Sequence, residues 1–226
     1  DTTVQVVVTD NRTDAEKYTP EFDQIEKNYG EATTEEEIKG ALKEESVPEN
    51  TEVTVKNPES LPDGMTEGTF EIEVTVEYPD GTSEDTTVQV VVTDNFLVVT
   101  KNPPKQIDGQ RVAENTNVIT ANLTFTVEGV HDEGLNSGLS IDENGNLTGT
   151  PKLNWGDKNS DTYEEQTVVL HAIATAESGS KKPVTISVVV QRDTDGDGEP
   201  DITDTDDDGD GFTDIEEEEK GTDPKD

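Results

Sequence analysis

The sequence predicts a mainly β protein in which β-sandwich domains follow one another, the first with a short helix, before an irregular C-terminal segment. Apolar side chains occupy every second position over long stretches, as in strands with one buried face. The 226 residues are 28% hydrophobic and 4% aromatic, which suits thin, valine-rich cores better than a deep enzymatic pocket. Residues 193–226 instead repeat a spacing of aspartate and glycine. A chain of this length makes one to three small domains.

The formal net charge of −38, from 16 basic and 54 acidic residues, limits the partners that the chain can bind. Phosphate binding needs clustered lysine and arginine, so nucleic acid is excluded as a partner. Docking on an anionic membrane surface is disfavoured. No run of about 18 apolar residues could insert directly into a membrane. The chain has no cysteine, so disulfides and thiolate chemistry are excluded.

An unchanged internal repeat indicates the organisation of the first part of the chain. Residues 1–11, DTTVQVVVTDN, recur at 85–95, an offset of 84 residues (85 − 1). Self-similarity at a fixed period is typical of tandem repeats. We therefore interpret 1–11 as the terminal strand of a preceding repeat and 12–95 as one complete repeat. Because the chain opens in mid-strand, we expect it to be a fragment of a longer protein that carries any anchoring segment.

Within 12–95 the pattern changes from mixed to clearly strand-like. A capping box, Thr34 with Glu37 or Thr33 with Glu36, predicts a short helix over roughly 34–45. Two alternating stretches then flank a Pro-Asp-Gly-Thr turn at 79–82, which predicts a β-hairpin with one buried face. The buried side chains are Phe70, Ile72, Val74, Val76 and Tyr78 on one strand and Val88, Val90 and Val92 on the other.

This hairpin carries a family resemblance. VEYPDGTSEDTTVQVVVTDN, with Tyr-Pro-Asp-Gly at 78–81, resembles the closing hairpin of the Rib/alpha-like repeats of Gram-positive surface proteins. The N-terminal half with its helix is similar to the longer variant of that repeat. The resemblance implies an Ig-like, β-rich domain that is repeated in series and serves as a stalk, holding an adhesive tip away from the cell wall.

Residues 96–192 predict a second, all-β domain. Apolar residues alternate over 123–127, 168–174 and 184–190, which favours an antiparallel sandwich. The stretch GLSIDENGNLTGTP at 138–151 resembles the central motif of bacterial putative Ig domains, which are related to cadherin-like folds. The resemblance implies two strands flanking a tight turn. The polar segment 152–165 is interpreted as an insertion between strands.

Residues 193–226 carry seventeen carboxylates against Lys220 and Lys225. So many negative charges cannot lie close together unless a cation neutralises them. Their spacing is that of twelve-residue loops that wrap Ca²⁺, with ligands at positions 1, 3, 5, 9 and 12 and glycine at position 6. The first loop has Asp193, Asp195, Asp197, Asp201 and Asp204 with Gly198; the second has Asp206, Asp208, Asp210, Asp214 and Glu217 with Gly211. We predict two calcium sites; a solvated, disordered acidic tail is the alternative.

The same segment resembles the thrombospondin type 3 calcium repeats of bacterial surface proteins. The resemblance implies that the ten carboxylates of the two loops are ligands and that Glu199 and Phe212 contribute main-chain carbonyls. GTDPKD at 221–226 resembles the lead-in to a further repeat. The acidic run 216–219 departs from the pattern and predicts a short helical turn that stops at Gly221. An all-oxygen ligand set disfavours zinc, and Mg²⁺ prefers a smaller, octahedral shell.

The sequence offers no recognisable catalytic motif, and we expect the protein not to be an enzyme. Of the two histidines, His131 lies in a glycine-rich turn and His171 in an alternating strand, where a sheet position is expected. No nucleophile elbow or phosphate loop is present. The single tryptophan, Trp155, is interpreted as a packing residue, with a sugar-stacking platform as the alternative.

Together these features predict a non-enzymatic stalk or spacer region of a bacterial cell-surface adhesin, with a segment that Ca²⁺ makes rigid. We expect an extracellular location at the cell wall, calcium ions as partners and a monomeric rod, because acidic outer faces repel one another. The alternative is that 96–192 is itself an adhesive module that binds a host glycan or protein through 152–165. An intramolecular Lys–Asn isopeptide bond is left open, since no pair is indicated.

Overall fold

The computed structural model describes residues 9–134, 136–156 and 164–226. The chain forms two compact units, the first comprising Asp1–Asn95 with Ser178–Ser180 and the second Phe96–Glu177 with Lys181–Asp226. Strands predominate in both, so the predicted mainly β class is confirmed. Most of residues 1–11, predicted to be a terminal strand, lies outside the described residues.

The described residues of the first unit form a four-stranded sheet with short helices. The strand order is β1-β4-β3-β2, with β1 parallel to β4 and the other pairs antiparallel. Short 3₁₀ turns cover Glu44–Ser46 and Pro58–Ser60. The elements are α1 (Asp14–Lys17), β1 (Ile25–Asn28), α2 (Glu35–Gly40), β2 (Glu52–Val55), β3 (Gly68–Glu77) and β4 (Ser83–Thr93).

The predicted hairpin is confirmed in strands β3 and β4. Phe70 lies opposite Val90 and Ile72 opposite Val88, so the alternating apolar residues share one face. That face is buried in a core with Ile38 of helix α2. The turn is closed by the amide of Tyr78, which donates to the carbonyl of Thr82 at 2.8 Å. Period-two patterning was sufficient to predict both strands because the apolar residues alternate on one face that packs into the core.

Helix α2 begins where its capping box predicts and ends earlier than expected. The amide of Glu37 donates to Thr34 Oγ1 at 3.3 Å, and Glu37 Oε2 accepts from the Thr34 amide at 2.9 Å. The helix ends at Gly40, so the predicted extension to residue 45 is wrong. The reason is tertiary: the carbonyl of Ala41 accepts from the Asp23 amide at 2.8 Å, and the Lys43 amide donates to Glu21 at 2.9 Å.

The described residues of the second unit form three sheets around one core. They have the strand orders β6-β13-β12-β9, β10-β11-β7 and β5-β8. The elements are β5 (Val98–Thr100), β6 (Gln106–Ile107), β7 (Thr116–Asn117), β8 (Ile119–Ala121), β9 (Phe125–Asp132), β10 (Leu139–Ile141), β11 (Asn146–Gly149), β12 (Glu165–Ala176), β13 (Lys181–Gln191) and α3 (Asp214–Lys220).

The core of this unit joins side chains from different sheets, as expected of a sandwich. Leu170 and Ile186 of the four-stranded sheet are fully buried and pack in the same cluster as Ile119 and Leu147. The predicted tight turn between β10 and β11 is confirmed. Its Gly145 has φ +81°, and a Cβ there would lie 2.6 Å from the Ile119 carbonyl oxygen. Only glycine therefore fits this turn.

Trp155 packs against the edge of this core. Its indole N–H donates to Asp108 Oδ2 at 3.0 Å, and the side chain is half-buried. These contacts support the packing interpretation over a sugar-stacking platform, because the indole N–H already has a protein partner. Of the polar insertion predicted at 152–165, residues 157–163 lie outside the described residues.

Candidate metal centre

The acidic segment is attached directly to strand β13. Arg192 follows that strand, and its carbonyl accepts from the Asp201 amide at 2.9 Å. The Gln110 side chain donates to the carbonyl of Gly196 at 3.3 Å and to Asp193 Oδ2 at 3.4 Å. Asp193 is 9% exposed. The first loop therefore folds against the β-domain of its own unit.

The first predicted loop brings three of its carboxylates together. Asp193, Asp195 and Asp197 each place an oxygen within 4.8 Å of the others. Asp193 accepts from the amides of Gly196 at 2.8 Å and Gly198 at 3.1 Å. Asp197 Oδ1 accepts from the next-but-one amide, Glu199, at 2.7 Å. The loop backbone thus curls around its own carboxylates.

The second loop repeats this arrangement thirteen positions later (206 − 193). Asp206, Asp208 and Asp210 again place oxygens within 4.8 Å of one another. Asp206 Oδ2 accepts from the Gly211 amide at 3.0 Å, and Asp210 Oδ1 from the Phe212 amide at 2.9 Å. Equivalent residues thus make equivalent turns in both loops.

The two loops also lie against each other. A Cβ built on Gly209 of the second loop would lie 2.7 Å from Asp195 Oδ2 of the first. Gly209 has φ +68°, so glycine is favoured there both by its backbone conformation and by the space that Asp195 occupies.

The carboxylate at the ninth position of each loop accepts a hydrogen bond from the loop's backbone. It is not one of the three carboxylates that converge in that loop. Asp201 Oδ1 accepts from the Thr194 amide at 2.7 Å, and Asp214 Oδ1 accepts from the Asp207 amide at 3.0 Å. Each carboxylate therefore ties the end of its loop to the second residue of the same loop.

The twelfth positions differ between the loops. Asp204 Oδ1 accepts from the amides of Thr205 at 2.6 Å and Asp206 at 3.1 Å. Its carboxylate therefore holds the backbone where the second loop begins. Glu217, in contrast, is 5% exposed. Burial raises its pKa above the ordinary value, and the carboxylates of Asp208, Asp210 and Asp214 raise it further.

Four buried carboxylate oxygens in the second loop have no hydrogen-bond partner among the described residues. Three belong to predicted ligands, namely Asp206 Oδ1, Asp208 Oδ2 and Glu217 Oε2, and the fourth is Asp207 Oδ1. An ionised oxygen without a partner is costly to bury unless it is paired or coordinates a metal. The residues present therefore fit a hard divalent cation that takes oxygen ligands, as Ca²⁺ does.

Helix α3 carries Glu217 to this position. Thr213 is its N-cap: the Glu216 amide donates to Thr213 Oγ1 at 3.3 Å, and Glu216 Oε2 accepts from the Thr213 amide at 3.2 Å. The helix ends at Lys220, and Gly221, its C-cap, has φ +78°. The predicted helical turn is confirmed, and it is longer than the acidic run because the capping box starts it at Asp214.

The acidic segment also contains a group of buried charges that the spacing of aspartates along the loops did not predict. Asp207 is 5% exposed and has no place among positions 1, 3, 5, 9 and 12. It forms an ion pair with Lys225, which also lies 2.7 Å from Asp201 Oδ2. Burial raises the pKa of Asp207 to about 6, against the opposing influence of Lys225. The sequence signal for this group was limited to two lysines, Lys220 and Lys225, among many carboxylates.

The two histidines occupy sheet positions, as predicted for His171. They lie opposite each other on β9 and β12, with ring centroids 5.4 Å apart. His171 Nε2 lies 3.0 Å from Glu133 Oε1 and its Nδ1 3.2 Å from Thr185 Oγ1. The prediction that His131 lies in a turn is wrong, because strand β9 continues to Asp132.

Comparison with known proteins identifies one part of the chain. Residues 14–94 match the family model of the Rib domain, which confirms the Rib resemblance for that segment. A solved Rib structure from Streptococcus pyogenes is 30% identical, with a TM-score of 0.30, over 36% of this chain and 100% of that chain. No curated protein matches the chain.

Two cadherin structures align with a larger share of the chain at low identity. Human mucin-like protocadherin EC1-2 is 14% identical over 77% of this chain and 97% of its own, with a TM-score of 0.28. Drosophila N-cadherin EC1-3 is 12% identical over 75% of this chain and 64% of its own, with a TM-score of 0.30. Among the described residues, no helix has the length and apolar character needed to cross a bilayer.

Proposed function

We propose that this chain is a non-enzymatic spacer region of an extracellular bacterial surface protein, in which Ca²⁺ makes the acidic segment rigid. The observation that carries the calcium assignment is the set of unpartnered, buried oxygens of Asp206, Asp208 and Glu217. The spacer role is supported by the Rib match over residues 14–94 and by the internal repeat. Placement at the cell wall belongs to the same proposal.

Each loop would supply its oxygen ligands from positions 1, 3, 5, 7, 9 and 12. In the second loop Asp206, Asp208 and Asp210 converge, and the buried Glu217 of helix α3 is the predicted ligand at the twelfth position. Asp214 is also predicted as a ligand, with the carbonyl of Phe212. In the first loop Asp193, Asp195 and Asp197 converge, and Glu199 (by its carbonyl), Asp201 and Asp204 complete the predicted set.

Bound calcium supplies the positive charge that offsets repulsion among these carboxylates. The chain's own turns bring the ligand oxygens close together, and a bound ion would hold them there and so restrain the loop backbone. A segment held in this way extends the preceding β-domain as a stiff connection. A monomeric rod and the adhesive role of 96–192 remain proposals; glycan-array and cell-binding assays would decide the second.

Calorimetry on the full chain tests the calcium assignment. We expect two sites with Kd on the order of 10⁻⁴–10⁻³ M, as in extracellular calcium modules. Glu217→Gln should remove heat from one site, because it neutralises a buried carboxylate at the twelfth position of the second loop. Glu219→Gln is the control, since it removes the same charge from an exposed position on the same helix.

Two results would contradict the proposal. The first is the absence of heat when millimolar Ca²⁺ is added to the wild-type chain. The second is an equal effect of the two glutamine variants, which would show that only net charge matters.

A further inference from the structure

We propose that Lys225 is a permanent internal cation that fixes the two acidic loops to each other and to the β-domain of their unit before any metal binds. Its pre-positioning of metal ligands rests on the proposed function, whereas the fixing itself does not. We call the group Lys225, Asp201, Asp207, Glu164 and Arg192 the ionic lock.

The ionic lock contains one carboxylate from each loop. Lys225 Nζ lies 2.7 Å from Asp201 Oδ2 in the first loop and pairs with Asp207 Oδ2 in the second. These three side chains are only 7%, 2% and 6% exposed. The ammonium group is therefore enclosed between the loops, where solvent screens its attraction to the carboxylates weakly.

Two further members connect the lock to the β-domain. Glu164, which directly precedes strand β12, places Oε1 3.5 Å from Lys225 Nζ. Arg192, which directly follows β13, places Nε 3.4 Å from Asp201 Oδ2. Strands β12 and β13 are antiparallel neighbours, with Glu165 opposite Gln191. The lock therefore lies at the open end of that hairpin.

The ionic lock restrains the backbone segments that carry several candidate metal ligands. Asp201 accepts from the amide of Thr194 at 2.7 Å and from its hydroxyl at 2.7 Å. Thr194 stands between Asp193 and Asp195 in the first loop. In the second loop, Asp207 itself stands between Asp206 and Asp208. Holding Asp201 and Asp207 thus holds the chain segments that carry four candidate ligands.

Lys225 is charged in this environment. Burial lowers its pKa, but hydrogen bonds from its ammonium group to Asp201 and Asp207 outweigh burial and leave the pKa above the ordinary value. Asp207 Oδ1 and Glu164 Oε2 are buried without partners among the described residues. Without Lys225, Arg192 would be the remaining cation of the ionic lock, and the negative charge of its buried carboxylates would be poorly neutralised.

Hydrogen exchange on the full chain in EGTA tests the lock. Lys225→Met should speed exchange of the Thr194, Asp207 and Asp201 amides by about tenfold or more, because their loops open locally. Lys220→Met is the matched control. It removes the same charge from the same segment, but Lys220 is exposed and its ammonium lies 3.9 Å from the centre of the Phe212 ring. Lys225→Arg should retain protection.

Calcium affinity gives a second, independent measurement. Removing a positive charge strengthens Ca²⁺ binding on Coulomb grounds alone. Lys220→Met should therefore bind Ca²⁺ at least as tightly as wild type. We expect weaker binding in Lys225→Met, which can only come from lost positioning of the ligands.

The outcomes separate the lock from the proposed function. If wild type binds no Ca²⁺, the proposed function fails, and exchange in EGTA still decides the lock. Equal exchange in Lys225→Met and Lys220→Met would overturn the lock. Loss of protection throughout β12 and β13 would overturn it too, because Lys225 would then support the whole unit.

Discussion

Asp132 illustrates how this chain uses single aspartates to hold irregular backbone. At the end of strand β9 its carboxylate accepts from the amides of Gly134, Asn136 and Ser137 and from the Ser137 hydroxyl. The amide of Ser137 contributes most to holding the pKa of Asp132 below its ordinary value. The native state therefore favours the ionised carboxylate.

Asp132→Ala should destabilise the second unit by about 1–3 kcal/mol at neutral pH, because several donors lose their acceptor. The depressed pKa means that this contribution is present above the unfolded value of about 3.9 and is lost as pH falls through the folded value. The difference from wild type should therefore shrink in acid. Urea unfolding followed by Trp155 fluorescence measures it, and the exposed Glu143→Ala serves as the control.

A constant difference between wild type and Asp132→Ala from pH 7 to pH 2 would contradict this account. So would an equal loss of stability in Glu143→Ala, which removes a carboxylate from a neighbouring turn.

Residue spacing predicted the convergence of Asp193, Asp195 and Asp197 and of their equivalents, because local turns alone bring these oxygens together. It could not predict the ionic lock. Lys225 reaches Asp201 across 24 positions in the chain and Glu164 across the whole acidic segment. Such pairs depend on how the segment folds back, and no local pattern records that. The ligand roles of the predicted residues stay predictions.

Secondary-structure elements follow the sequence where one face is buried and depart from it where tertiary contacts compete. Strands β3 and β4 pair as the period-two patterns at 70–78 and 88–92 predict. Helix α2 has a correct start because its capping box is local, but pairing of residues 41–43 with 21–23 ends it early. In helix α2 the local pattern predicted the start but not the end, because the end was decided by contacts with residues 21–23.

Two glycines of the first unit differ in backbone conformation but not in the space available for a side chain. A Cβ on Gly40 or on Gly81 would meet nothing within 4 Å, but only Gly81 has a positive φ, +81°. Gly40→Ala should stabilise the unit by about 0.4–1 kcal/mol by reducing the entropy of the unfolded chain. Gly81→Ala should destabilise it by about 1–2 kcal/mol through left-handed strain.

Exchange of the buried amides of β3 and β4 measures both changes in the same unit. Destabilisation by Gly40→Ala would show that the end of helix α2 does not tolerate a side chain. A neutral Gly81→Ala would show that the hairpin turn relaxes to another conformation.

At the scale of the whole molecule, the two units should respond differently to calcium. All candidate ligands lie in the second unit, and none in the first. A ligand stabilises only the state that binds it. With Kd near 1 mM, about 10 mM Ca²⁺ contributes roughly 1.4 kcal/mol per site.

EGTA should therefore lower the thermal midpoint of the second unit by a few degrees. Trp155 fluorescence follows that unit, since the chain has one tryptophan. Exchange of the first unit's amides should be the same with and without calcium. A calcium-dependent change in the first unit would contradict this assignment, as would an unchanged midpoint in the second.

The position of Lys225 also sets how the chain responds to tension. A pull on Asp226 reaches Lys225 one residue later, and the ionic lock passes it to Glu164 and Arg192 at the end of the β12–β13 hairpin. The loops between Arg192 and Lys225 are bypassed while the lock holds. Once it opens, they can extend by roughly 100 Å. The acidic segment should thus stay folded under low tension and lengthen once the applied force breaks the ion pairs of the lock.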